Sequence, residues 1–433
     1  LRAASSYTSQ NQPWGQILLQ HQATLPGAQR QPTHSLEAEE PAVPVQTRTE
    51  QQSEPAPGSA PPRASAGFSR LPSLTGLRWL AAFIVFGYHI GTLGVIHRPP
   101  SPPNTPPNPG GHLLRSWEAV FGQGDIGVAF FFVLSGFVLT WVAKPTDTRT
   151  AFWRRRVAKI YPNHAVTWAI VLGIGLLWGD RISKVVALLN LALVQPWFYG
   201  SYHGAGIGYS VNTVSWSLGC EAFFYLSFPF VIPLLRKLTV NQLYWTALVL
   251  VGLTYCLQQW QFYIFPHNPV RSYWFTYMFP PVRSIEFWLG VITALLVKRG
   301  RWYGPGLGLA TVFAIGVYYL NGTNWIPLNL HTIYFDLACC VLIAGAAKAD
   351  LTGAWSPWRW RPLVFLGEIS FAFYLVHVQL IQNIMRLWRP NGWHGAPALL
   401  AVAALLAGAI GLAYLLYRFV EMPCMRLLRP KKS

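Results

Sequence analysis

Charge is what this chain has least of. Only 11% of its 433 residues are Asp, Glu, Lys or Arg, against roughly 25% in a soluble domain, which is too little polar surface for a water-borne globule of this length. Acidic groups are the scarcer sign, 15 against 33 Lys plus Arg, for a formal net charge of +18. The five cysteines, Cys220, Cys256, Cys339, Cys340 and Cys424, are odd in number and lack metal-ligand spacing, so neither a disulfide scaffold nor a zinc site is expected. A Walker loop, an HExxH helix and a GxSxG elbow are also missing, which removes the common P-loop nucleotide, metalloprotease and serine-hydrolase readings.

What fills the space is apolar: 52% of the residues are hydrophobic and 15% aromatic. Residues 1–67 stand apart, rich in Gln, Pro, Ser, Ala and Thr, and read as a disordered tail without the n-region and h-region of a signal peptide. From Leu74 onward, apolar runs alternate with short polar or basic loops, near 74–96, 118–142, 162–179, 217–235, 242–262, 281–298, 304–320, 332–348, 363–387 and 396–420. Each approaches the roughly 20 residues needed to cross a bilayer. The run from Val185 to Trp197 is shorter and reads as re-entrant or interfacial. The expectation is an all-α, polytopic membrane bundle of about ten transmembrane helices over residues 68–428, followed by a basic tail, 429–433.

The basic residues support that count. Ten spans with a cytoplasmic N-terminus put Lys144 to Lys159, Arg236 and Lys237, Lys298 to Arg301, Lys348 to Arg361 and Arg426 to Lys432 on the inner side, as the positive-inside rule requires. Scattered charges such as Arg98, Arg115, Arg181, Lys184, Arg271, Arg386 and Arg389 fall outside, with a Pro-, Asn- and Gly-rich outer loop, Pro99 to Gly111. Both termini are then cytoplasmic, in the plasma (inner) membrane. The basic excess faces anionic lipid rather than nucleic acid.

Ionisable residues inside apolar runs are costly and usually face a cavity or a partner. Arg78 and His89 lie eleven positions apart in the first run, about three helical turns or roughly 16 Å, and so on one face. His89 reads either as a satisfied core imidazole or as a general base; Arg78 either as a snorkelling cation or as a site residue. Glu221, flanked by aromatics, pairs with an intramembrane Arg such as Arg283 or Arg78, or orients His89 or the acceptor hydroxyl. Arg283 and Glu286 are one turn apart and can satisfy one another. His377 reads as structural. The densest basic cluster, Arg154, Arg155, Arg156 and Lys159, serves topology or captures a phosphate-bearing carrier, Arg156 and Lys159 being one turn apart.

In order along the chain these residues sit in Leu74-Thr-Gly-Leu-Arg78-Trp-Leu-Ala-Ala through His89, Gly127-Val-Ala-Phe-Phe-Phe-Val-Leu-Ser135-Gly136-Phe, Arg156-Val-Ala-Lys159-Ile-Tyr-Pro162, Ser215-Trp-Ser-Leu-Gly-Cys-Glu221-Ala-Phe-Phe-Tyr225, Phe365-Leu-Gly-Glu-Ile-Ser370 with Tyr374-Leu-Val-His377, and Glu421-Met-Pro423. That series resembles membrane acyltransferase family 3, the O-acyltransferases of sugars and related hydroxyl compounds. Arg70 to Phe83 and Val214 to Glu221 look similar to the actinomycete members that acylate macrolide antibiotics at a lactone or mycarose hydroxyl.

The resemblance implies an acyl-CoA-dependent transferase with no permanently bound cofactor and acetyl-, propionyl- or isovaleryl-CoA as co-substrate. It casts His89 as the base, Arg78 as essential, and Arg156 and Lys159 as the pair at the carrier; beside these, the residues' own chemistry adds Glu221 near His89 and Arg154 and Arg155 to the carrier cluster. Arg78 or a nearby amide is expected to face the developing oxyanion, and Glu221 to fix the imidazole tautomer. Two departures stand out: Lys159 replaces a usual Arg, and Ala129 stands where many members carry an acid, for which Asp125 is a substitute one turn earlier. Direct transfer and an acyl-His route are both open. The implied partners are acyl-CoA, a hydroxylated and glycosylated small molecule, and membrane lipid, without nucleic acid. Acylation of a surface polysaccharide or lipid-linked sugar is the same-family alternative. A transporter using Arg78, His89 and Glu221 as a relay is the alternative from another class, although no internal repeat supports it.

Overall fold

The computed structural model describes residues 71–98, 111–202, 205–323, 325–326, 330–388 and 391–427. The expected tails 1–67 and 429–433, Arg389 and nearly all of the Pro99 to Gly111 loop lie outside the described residues. Among those described, nine helical segments are long and apolar enough to cross a membrane, and a tenth apolar helix, Leu307–Gly322, has 16 residues. The pattern of ten runs is reproduced in order.

The helices are α1 (Pro72–Thr92), α2 (His112–Phe121), α3 (Gly127–Val142), α4 (Arg149–Leu177), α5 (Lys184–Leu191), α6 (Trp216–Lys237), α7 (Val240–Ile264), α8 (Pro269–Tyr277), α9 (Pro280–Lys298), α10 (Leu307–Gly322), α11 (His331–Thr352), α12 (Arg361–Trp388), α13 (Gly395–Leu416) and α14 (Met422–Leu427). Their ends follow local chemistry. Pro sits in the first turn of α1, α8 and α9, where a missing N–H costs nothing. Thr148 caps α4, and Thr239 with Gln242 forms a full capping box on α7. The start of α1 is capped from another helix, since Asp350 of α11 accepts from the Ser73 backbone N–H at 2.8 Å and from its hydroxyl at 2.6 Å. Gly353, at φ 71°, ends α11 in the left-handed conformation that favours glycine.

The centre of the bundle is built by backbone contact. A Cβ at Gly136 of α3 would strike the carbonyl of Phe287 in α9, and one at Gly290 of α9 would strike the carbonyl of Val133 in α3. Gly367 of α12 meets Thr75 of α1 in the same way. In lipid, where the hydrophobic effect does not drive helices together, such small-residue seams allow the close approach that holds them. Of the apolar window of α9, 83% is buried, against 11% for α7, so α9 is central and α7 faces the surroundings.

The short run 185–197 does not cross. It forms the eight-residue α5 and a 3-10 turn, Gln195–Trp197, and leads into a small hairpin, β1 (Ser201–Tyr202) with β2 (Ala205–Gly206). The chain then returns inward to Ser215. Buried polar side chains satisfy this irregular backbone. The Asn190 amide donates to the Ser210 carbonyl at 2.6 Å, and that of Asn212 to the Leu375 carbonyl of α12 at 3.1 Å. Gln195 donates to the Ser215 hydroxyl at 3.2 Å. Non-helical backbone at membrane depth persists only when buried and satisfied in this way. Leu193 and Val211, at φ 59° and 55°, are the non-glycine residues with positive φ among those described; both lie here, each at a cost of about 1–3 kcal/mol that the network offsets.

Candidate active site

Two cavities meet inside the bundle. The larger, about 140 Å³, is lined by Arg78 of α1, Ser135 of α3, Arg156 and Lys159 of α4, and Glu221 and Tyr225 of α6. Four charged side chains from three helices thus converge on one space. The smaller, a narrow cleft of about 20 Å³, is lined by Tyr88 and His89 of α1, Asp125, Tyr209, Thr213, Trp216 and Tyr277. Val128 of α3, Val214 and Ser217 near the start of α6, and Tyr374 of α12 lie at the join: Val128 and Tyr374 line both spaces. The Tyr374 hydroxyl is held by Ser217 at 2.9 Å and donates to the Val214 carbonyl at 3.2 Å, which fixes its ring as the partition.

The basic cluster of α4 divides by helical phase. Arg156 and Lys159 share the face turned to the larger cavity. Arg155, one position off that face, pairs with Asp147 at 3.0 Å, and Arg154 is exposed. Of the four expected carrier residues, two line the space and two do not. Lys159 is held by Glu421, whose second carboxylate oxygen accepts from the Asn163 amide at 2.7 Å. Glu421 is fully buried, at the end of a π-turn, Tyr417–Glu421, that continues α13. The closing Glu-Met-Pro motif thus carries the carboxylate that anchors the Lys159 ammonium.

Two expectations about α1 need correction. Arg78 does not share a space with His89; eleven residues of continuous helix hold them about 16 Å apart, and Arg78 sits with Arg156 and Lys159, too far away to face an oxyanion at His89. Nor does Glu221 orient His89. Its carboxylate bonds the Tyr225 hydroxyl one turn on and interacts with Arg78 and Arg156, while Tyr225 meets the Ser135 hydroxyl at 2.9 Å. Arg283 is not Glu221's partner either, because it pairs with Glu286 at 2.8 Å and lies over the rings of Phe132 and Tyr277, each at 5.3 Å. Asp125 lines the His89 cavity, while Ala129 is buried in α3, so an acid does occupy this region one turn before the expected position.

The groups around the His89 ring come from its own helix and from α12. Its Nδ1 lies 2.9 Å from the Val85 carbonyl and 3.2 Å from Nε2 of His377. The His377 Nδ1 lies 3.1 Å from the Phe373 carbonyl and 2.9 Å from that of Tyr374. Reading His377 as a core histidine missed this pairing. The two imidazoles are 288 positions apart, so no spacing rule connects them; the one sequence signal was that each stands in one of the ordered motifs.

The family described as an acyltransferase domain matches residues 71–418. The chain is 38% identical over 387 residues to acyltransferase MdmB of Streptomyces mycarofaciens, a match covering 83% of this chain and 92% of that protein. It is 23% identical over 382 residues to peptidoglycan O-acetyltransferase OatA of Listeria monocytogenes, and 25% over 392 residues to the putative peptidoglycan O-acetyltransferase YrhL of Bacillus subtilis. Each of these matches covers 82% of this chain but only about half of the relative, 55% and 54%. No solved structure matches.

Proposed function

The chain belongs to the acyltransferase domain family, a multi-pass membrane O-acyltransferase, and from that premise we propose that it moves a short acyl group from acyl-CoA to a hydroxyl of a macrolide, on the lactone or on a mycarose sugar. Membership in this family replaces the transporter alternative. The observation that carries the proposal is the sorting of charge between two adjoining cavities. One gathers Arg78, Arg156 and Lys159 against the carboxylate of Glu221, with Lys159 also paired to Glu421, a cationic excess carried by the two arginines that suits the phosphates of a carrier. The other is lined by phenols, an indole, one carboxylate and an imidazole, and suits an uncharged hydroxyl-bearing acceptor.

In this reading the CoA phosphates lie near Arg156, Lys159 and Arg78, and the acyl thioester reaches the partition at Val128 and Tyr374. His89 takes the acceptor hydroxyl proton on Nε2 as the oxygen attacks the thioester carbonyl. Collapse of the tetrahedral intermediate breaks the C–S bond, and the imidazolium returns its proton to the departing CoA thiolate. The macrolide assignment is supported by the 38% identity along nearly the whole of a Streptomyces acyltransferase. The lower identity to peptidoglycan O-acetyltransferases supports a second reading, acylation of a surface glycan.

Purified protein given labelled acetyl-, propionyl- or isovaleryl-CoA and a panel of macrolides and sugars is expected to add one acyl mass to a macrolide. Transfer to glycan fragments alone would favour the second reading, and transfer to none of them would remove both. Arg156→Ala is expected to raise the KM for acyl-CoA about 10- to 100-fold, the range for losing a charge-assisted hydrogen bond, without altering the acceptor KM. The charge pattern supports a plasma-membrane protein with cytoplasmic termini. A reporter fused after Gly200 is accordingly expected to read external, and a cytoplasmic reading would reverse the orientation.

A further inference from the structure

We propose that His377 is the positioning residue of the base, a neutral imidazole that fixes the tautomer of His89 so that its free lone pair is on Nε2. The inference rests on His89 acting as the base. It follows from donors and acceptors alone, read in order from the helix backbone inward. His377 Nδ1 faces two carbonyl oxygens, of Phe373 and Tyr374. Carbonyls only accept, so Nδ1 carries the hydrogen. A neutral imidazole has one N–H, and Nε2 of His377 is therefore an acceptor.

That acceptor lies 3.2 Å from His89 Nδ1, whose other neighbour, the Val85 carbonyl at 2.9 Å, is also an acceptor. Nδ1 of His89 must then donate, and its lone pair is left on Nε2. The opposite tautomer would set lone pair against lone pair at both contacts. The ring of His377 has little freedom to turn, because it is fully buried and stacks on Phe373 with centroids 5.5 Å apart and planes 4° apart. When His89 takes the acceptor proton, the His377 lone pair and the Val85 carbonyl both accept from the Nδ1 side of the imidazolium, while Asp125 lines the cavity that holds the ring. The orienting group of a nucleophile–base pair is commonly an acid; here two backbone carbonyls act through a second imidazole.

Two measurements test this. Nitrogen-15 spectra of histidine-labelled protein in lipid, with His89→Ala to assign the resonance, are expected to show His89 protonated on Nδ1 in the wild type and a smaller Nδ1-protonated share in His377→Phe, which keeps the stacked ring and leaves the Val85 carbonyl as the one remaining acceptor at that nitrogen. A wild-type His89 protonated on Nε2 would overturn the inference whatever the protein's acceptor proves to be. With acetyl-CoA and an unacylated mycarose-bearing macrolide, His377→Phe is expected to lower kcat about 100-fold with the acetyl-CoA KM unchanged. His377→Gln, whose amide oxygen can accept from His89, is expected to restore most of the rate. Equal loss in both variants, or full activity in His377→Phe, would exclude the positioning role. His89→Ala separates the two layers of inference: if that variant remains active, it is the base assignment that fails.

Discussion

His89→Ala is expected to lower kcat for acyl transfer by about 10²- to 10⁴-fold, the usual contribution of a positioned general base, while leaving acyl-CoA binding intact. The two effects separate because the imidazole lines the smaller cavity and the carrier cations line the larger one. Neither Arg78, about 16 Å away along α1, nor Glu221, engaged with Tyr225, is placed to take over the proton. Single-turnover rates at saturating acyl-CoA, with donor binding measured separately by calorimetry, check both halves. A loss of less than about tenfold would mean that His89 is a core histidine. Lost donor binding would mean instead that the two cavities work as one.

The largest effect on folding is expected at the seam between α3 and α9. Gly290→Leu should prevent assembly, because even a Cβ there overlaps the Val133 carbonyl and neither backbone can retreat without breaking the reciprocal contact at Gly136. Ordinary overpacking costs about 1–3 kcal/mol, and a clash against a helix backbone exceeds that range. Gly252→Ala in α7 provides the control, since nothing lies within 4 Å of a Cβ at that position; it should be neutral or gain up to about 1 kcal/mol of helix preference. Thermal midpoints of detergent-solubilised protein, followed by size-exclusion chromatography, give the comparison. A Gly290→Leu protein that melts like the wild type would mean that the helices have room to part.

Much of this architecture was legible in the sequence because bilayer thickness dictates run length. All ten runs became helices in order, and the shortness of 185–197 marked a segment that turns back. The facing of Arg156 and Lys159 was legible too, since one turn of helix puts them together and leaves Arg155 off the face. Cross-helix partners were not. The His89 and His377 pair, and the Lys159 and Glu421 pair 262 positions apart, arise from tertiary packing that leaves no periodic trace. Roles that distance forbids, such as Arg78 at an oxyanion near His89, looked acceptable while a shared helix face stood in for a shared cavity.

The partition has a consequence outside chemistry. If carrier and acceptor occupy the two cavities as proposed, the join at Val128 and Tyr374 is where the protein would have to remain an electrical insulator. A wet passage from Arg78 to His89 would let protons run down a membrane potential worth about 2.3 kcal/mol per elementary charge at 100 mV. The Tyr374 ring, pinned through its hydroxyl to Ser217 and to the Val214 carbonyl, stands where such a passage would run, since it lines both cavities. The acyl chain would be threaded past it while ions are held back.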